Sequence, residues 1–371
     1  MLLRLYRTLS LAGQGDQRPL LDRIAQAATR AVEIDRLDAR TWEALGNAHV
    51  YRGIYETSHG GQGAPWWNRA LDELGKALAI QPDDPQANNA LGTAHRWLGA
   101  SLDETGRDPM PEYQAALRSY ERATAIDPQY LYACANQIDI HAAIAEHDTA
   151  IRIDPRPAVD SAQRAGERCL AIDPNFYALL DNLAQAQLAL ARYLVETGGD
   201  PMAALASARG YLDRAEAVQP GSMVTWFHRL VAARTEATLR LRQGADPTSS
   251  VATGRAALQE ALRLKPDSAY SYVEAARLDL VEATWAAHTG NGAASLLAKA
   301  RANAEKAVAL DDQLAAAKLT AAEACLQIAT AQPSRAVVDS GIAYADQALA
   351  LNPRLPRAQS VRAALLRLRA P

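Results

Sequence analysis

Phenylalanine is nearly absent from this 371-residue chain, occurring twice, and all aromatics together reach 6% although apolar residues make up 49%. A core short of rings must be filled by alanine and aliphatic side chains, which favours closely approaching helices. Three cysteines, Cys134, Cys169 and Cys325, are odd in number, far apart and in no CxxC pair. That spacing argues against a disulfide framework and a zinc site, and fits a reducing, cytoplasmic setting. Net basic charge is lacking too: 39 basic and 42 acidic residues leave a formal charge of −3, which offers a polyanion no attracting field, so no nucleic acid is expected as a partner. The tail carrying Arg354, Arg357, Arg362, Arg367 and Arg369 without an acid reads as a solvated terminal helix. No segment approaches the roughly 18 uncharged apolar residues of a membrane span. Arg4 and Arg7 interrupt the apolar start, so no signal peptide is expected. A soluble chain with no membrane contact follows.

What the chain does have is a ruler. Arg36, Pro82, Pro128, Pro174, Pro220, Pro266, Asp312 and Pro353 occupy one column of similar turns, six steps of 46 residues and a last one of 41. A second family of turns, containing Asp-Pro, keeps the same step at Pro109, Pro155, Pro201 and Pro247. Two turns per period imply two elements per period. The segments between turns are rich in Ala, Leu, Arg, Gln and Glu, with apolar residues three and four apart, so the elements are helices. A repeated antiparallel hairpin of this kind cannot bury its apolar face alone and must stack on its neighbours. In the turn GRDPMPEY, Gly106 suits the left-handed residue closing one helix, Asp108 the N-cap of the next, and Pro109 its first turn.

The columns resemble the tetratricopeptide repeat. Trp42, Leu45, Gly46 and His49 are similar to that family's W-x2-L-G-x2-Y signature with His in place of Tyr, and Leu91, Gly92 and His95 repeat half of it. Twelve residues before each closing turn stand Ile24, Ala70, Ala116, Ala162, Ala208, Gly254, Ala300 and Gly341; five before it stand Ala31, Ala77, Ala123, Cys169, Ala215, Ala261, Ala307 and Ala348. The family period is about 34 residues, and the excess falls between Trp42 and Ala70, at the tip joining helix A to helix B. The resemblance implies an all-α, right-handed superhelical solenoid of antiparallel helical hairpins. The expected repeats are 37–82, 83–128, 129–174, 175–220, 221–266, 267–312 and 313–353, flanked by a partial repeat at 1–36 and a terminal capping helix at 354–371. The G-x-D-P tips also resemble the C-terminal repeats of some bacterial serine/threonine protein kinases, whose catalytic domain would lie upstream.

Chemistry is hard to find. His49, His95 and His141 share one column, so packing rather than metal ligation is expected of them. His141 and His147 do not share a helical face. HGGQGAPWW at 59–67 lacks the preceding strand and following Lys-Ser/Thr of a phosphate loop, and Trp66 and Trp67 should pack at the start of helix B. No catalytic constellation stands out, so no enzyme activity, no cofactor and no metal are expected. The remaining function is binding, by a monomeric scaffold for a protein or peptide. The resemblance implies that the fifth and ninth positions of each A helix face the concave wall, giving Asn47, Asn89, Asp139, Asp181 and Gln185 in its polar part, then Phe227 and Arg277. A neutral or basic peptide along the polar part is the first expectation. A small molecule near Trp226, Phe227 and Tyr272, or a kinase docking arm, are the alternatives.

Overall fold

The computed structural model describes Asp16 and residues 18–369. The expected partial first helix, at 1–13, lies outside the described residues. Among them are sixteen α-helices and no strand. In chain order they begin with α1 (Arg18–Ile34), α2 (Ala39–Ser58), α3 (Ala64–Ile80), α4 (Pro85–Glu104), α5 (Met110–Ile126) and α6 (Leu131–Ala150). There follow α7 (Arg156–Ile172), α8 (Tyr177–Thr197), α9 (Met202–Val218), α10 (Met223–Arg242) and α11 (Thr248–Leu264). The last five are α12 (Ala269–His288), α13 (Ala294–Leu310), α14 (Ala315–Ala331), α15 (Arg335–Leu351) and α16 (Pro356–Arg369). Even-numbered helices α2 to α14 are the A helices and odd-numbered ones the B helices.

The aspartates of the Asp-Pro turns set where B helices start. Asp108 accepts from the Met110 amide at 3.0 Å, Asp154 from Arg156 at 3.0 Å, Asp200 from Met202 at 2.9 Å and Asp246 from Thr248 at 2.8 Å. Each following proline already has helical backbone or accepts the first helical bond, as Pro109 does from Tyr113. Its missing N–H costs nothing there. Asp16 accepts from Arg18 in the same way at 3.0 Å. Gly106, Gly198 and Gly244 close the preceding A helices at φ +69, +82 and +68, where a side chain would be strained. Asp108→Ala is therefore expected to cost about 1 kcal/mol, read as a lower urea midpoint with unchanged helical circular dichroism at 222 nm.

B helices of the internal repeats span 17 residues and A helices 20 or 21, so the excess over the family period lengthens both at the tip. The last step is shorter because α14 has only 17 residues and the turn after it, 332–334, is shorter than the turn at 289–293. The small-residue columns are where the helices meet. Ala70, Ala116, Ala162, Ala208 and Ala300 are fully buried, as are Ala123, Cys169, Ala215, Ala261, Ala307 and Ala348. Methyl groups at these points let backbones approach, which is how a core poor in rings closes.

The contacts divide the chain into two compact units, one of Met1–Asp103, Arg107–Ile144 and Asp160–Pro174, the other of Glu104–Gly106, Ala145–Val159 and Asn175–Pro371. In the first, α2 packs on α3, and Trp67 fills the hairpin between them. In the second, each A helix also packs on the next, α8 on α10, α10 on α12, α12 on α14, and α14 on α16.

The cysteines correct a sequence expectation. Cys134 of α6 and Cys169 of α7 are joined by a disulfide, their Cα atoms 6.0 Å apart, while Cys325 is free and buried. Linear spacing of 35 residues hid the pair, because only the antiparallel return of α7 along α6 sets the two side by side. With two of the three cysteines bridged, cysteine usage no longer favours a reducing compartment.

Candidate functional site

The second unit contains a groove of about 530 Å³. It is lined by the C-terminal halves of α6, α8, α10 and α12, the middle of α14 and the start of α16. Its residues recur at the repeat step: Glu146, Arg192, Thr238 and Thr284 are one column, and Arg234, Leu280 and Leu326 another. The lengthened A helices supply this wall, since Glu146, Glu196 and Arg242 stand in their last two turns.

At its centre three guanidinium groups surround one carboxylate. Glu274, 5% exposed, pairs with Arg234 and, at 2.8 Å, with Arg277. Burial pushes the Glu274 carboxyl up, but Arg234, Arg277 and the more distant Arg192 outweigh it and hold its pKa at about 2. Arg192 pairs with Glu146, while its Nε is buried with no partner among the described residues. Burial and the repulsion of Arg234 and Arg277, partly offset by Glu274 and Glu196, bring the Arg192 pKa down to about 10. It stays charged at neutral pH, and burial is the first cause of the fall, with the two neighbouring guanidinium groups adding to it. Arg357 pairs with Glu323 at 2.6 Å, and Arg242 donates to the Val195 carbonyl.

The residues singled out from the sequence are placed differently from one another. Asn47 donates to Glu43 at 3.1 Å, Asn89 accepts from Asn136 at 2.9 Å, and Asp139 takes Arg96 through two hydrogen bonds of 2.7 and 3.2 Å. Asp181 is 3% exposed and accepts from the Thr225 hydroxyl at 3.0 Å. Gln185 is half-buried. Phe227 packs on the cluster of Leu188, Ala191 and Val231. Arg277 lines the groove. Trp226 and Tyr272 pack on two other clusters. Arg192, Arg234, Arg242 and Glu274 were not singled out. Arg192, Arg234 and Arg242 stand beyond the ninth position of their A helices, where the family numbering does not reach, whereas Glu274 adjoins the fifth position of α12 and repeats in no column.

The histidine column is more than packing. His49 Nδ1 lies 2.6 Å from Glu73, and His95 Nδ1 2.7 Å from Glu112, whereas burial, with Arg164 and Arg168 nearby, lowers the His141 pKa to about 4. Among the described residues no group of three or more His, Cys, Asp or Glu is placed to hold a metal ion. No described helix is long and apolar enough to cross a membrane.

No protein-family model and no curated protein matches the sequence. Among solved structures the chain is similar to a monomeric mutant of IFIT1 with m7Gppp-AAAA, at 12% identity over 99% of this chain and 79% of that one, TM-score 0.52. It is similar to the APC/C hetero-tetramer Cut9-Hcn1, at 13% identity over 93% of this chain and 52% of that one, TM-score 0.50. A tetratricopeptide repeat protein from Parabacteroides merdae ATCC 43184 is 13% identical over 85% of this chain and 99% of that one, TM-score 0.48. At such identities the similarity extends to the fold alone. That fold is an all-α solenoid of antiparallel helical hairpins of the tetratricopeptide type.

Proposed function

We propose that the chain is a non-catalytic scaffold that binds a peptide or protein partner along the A-helix wall of its second unit. The groove carries this reading: it is open, elongated across six helices, and lined by side chains that alternate aliphatic, hydroxyl and charged character. Such a surface suits an extended segment rather than a small molecule, which would need a pocket with few polar groups and much apolar enclosure. Trp226, Phe227 and Tyr272 are committed to separate clusters, which weakens the small-molecule alternative. The G-x-D-P tips serve as helix stops and starts, so association with a kinase rests on resemblance alone. The polar wall of the first unit contributes less, because Asp139 would have to release Arg96 to meet a partner.

Peptides selected by display against the full chain test this. Thr238, half-buried in the middle of the groove, is the position to plug. Selected peptides are expected to compete with one another and to lose binding to Thr238→Trp while its helical signal and melting temperature are kept. Peptides that still bind the plugged, folded chain would move the function elsewhere.

A further inference from the structure

The wall of this groove is unbalanced in charge. Arg152, Arg192, Arg234, Arg242, Arg277 and Arg357 line it against Glu146, Glu196 and Glu323, with Glu274 buried beneath. Six cations meet four anions in a chain whose formal charge is −3. Arg234 and Arg277 share the one carboxylate of Glu274. Arg242 spends its guanidinium on a neutral carbonyl, and among the described residues Arg152 has no ion-pair partner.

Arg152 also breaks a rule the chain otherwise keeps. Gly60, Gly106, Gly198, Gly244 and Gly290 stand at the same point of successive repeats, each with φ between +68 and +82. Arg152 occupies that column between Gly106 and Gly198, and at φ 62 it is the one described non-glycine residue in the left-handed region. An L side chain rarely adopts this backbone, so an arginine here is held against its local preference, at the edge of the groove. Strained positions of this kind cluster where a side chain is needed.

The rest of the lining narrows the occupant. Leu241, Leu280, Val281, Leu319 and Leu326 supply aliphatic surface, Thr235, Thr238, Thr284 and Gln327 neutral hydrogen-bonding groups, and there is no aromatic ring. A nucleic acid strand would want stacking platforms among the cations; amino-acid side chains do not. We propose, building on the scaffold reading above, that the groove holds an extended acidic segment of a partner protein. Its carboxylates meet Arg152, Arg192, Arg242 and Arg277, and intervening aliphatic side chains lie on Leu241, Leu280 and Leu326. Packed helix axes are about 8–10 Å apart, and a segment in the extended polyproline II form advances roughly 3.1 Å per residue with three residues per turn, which puts every third side chain on one face. Acidic residues at every third position therefore keep step with arginines on successive A helices.

A fluorescein-labelled peptide with Glu at every third position and Leu and Ser between, its Gln and Lys counterparts, and a labelled oligo(A) RNA are titrated against the full chain by anisotropy. The Glu peptide is expected to bind at least tenfold tighter than the Gln peptide, to weaken steeply from low to high salt, and to lose at least tenfold on Arg242→Glu or Arg277→Glu. Arg152→Gly separates binding from folding: it is expected to raise the melting temperature and to weaken the Glu peptide severalfold. An unchanged affinity in Arg152→Gly overturns the proposal, as does oligo(A) binding as tightly as the Glu peptide. Gln or Lys peptides that bind equally well, or display-selected groove peptides without acidic residues, overturn the acidic preference and leave the scaffold reading standing. Failure of both the designed and the selected peptides at the groove removes both.

Discussion

Trp67→Ala is expected to destabilise the chain by about 3–5 kcal/mol, the range for emptying a buried indole, measured as the fall in unfolding free energy from urea titrations followed by circular dichroism. Trp67 is 1% exposed, stacks on Trp97 with ring centroids 6.0 Å apart, and occupies the space over Gly53, where a Cβ would fall inside the indole. One repeat on, a Cβ at Gly99 would come within 2.6 Å of the Tyr113 ring. Further along the same columns, Ala191 packs with Leu205, Ala237 with Val251 and Ala283 with Leu297. Glycine on helix A thus faces an aromatic on helix B, and alanine faces an aliphatic. Rewriting the Gly53 and Trp67 pair as Ala and Leu should recover part of what Trp67→Leu loses, with a coupling of about 0.5–3 kcal/mol. Strictly additive effects would show that the two positions do not share one space. Because neighbouring repeats can unfold in part, a broadened transition is read as loss of the first hairpins rather than as an altered native state.

The second large effect is at the centre of the groove. Glu274→Gln removes the one buried carboxylate that Arg234 and Arg277 share, leaving uncompensated buried charge, at a cost of about 3–5 kcal/mol. The pH dependence gives the sign. The folded pKa of about 2 lies below the ordinary 4.5, so the charged Glu274 contributes stability that is complete above pH 4.5 and is lost as pH falls toward 2. The gap between the parent chain and Glu274→Gln should therefore be widest near neutrality and close through that window. Equal melting-temperature differences at pH 7 and pH 3 would mean that shape, not charge, makes the contribution.

The fold was legible because it is written in columns. The closing prolines, the buried alanines five and twelve residues before them, and the aspartates that start B helices are each fixed by local geometry, and each recurs at the repeat step. The groove was less legible for a related reason. Family numbering directs attention to the fifth and ninth positions of a shorter helix, and of the site residues expected from the sequence only Arg277 lines the groove. Charge pairing between successive A helices was readable in principle. Arg96 meets Asp139 at a separation of 43 residues, Arg192 meets Glu146 at 46 and Arg234 meets Glu274 at 40. A search for opposite charges about one period apart would have shown Asp139 already engaged. The disulfide had no such signal, since a single pair cannot form a column.

That disulfide changes what a cut would do. Ile151, Arg152 and Ile153 are exposed at the tip between α6 and α7, and a basic residue on an exposed tip is where trypsin enters most easily. Cys134 and Cys169 lie on either side of that tip. Cleavage after Arg152 severs the backbone yet leaves the two pieces covalently attached, to be released from each other only when a reductant opens the bridge.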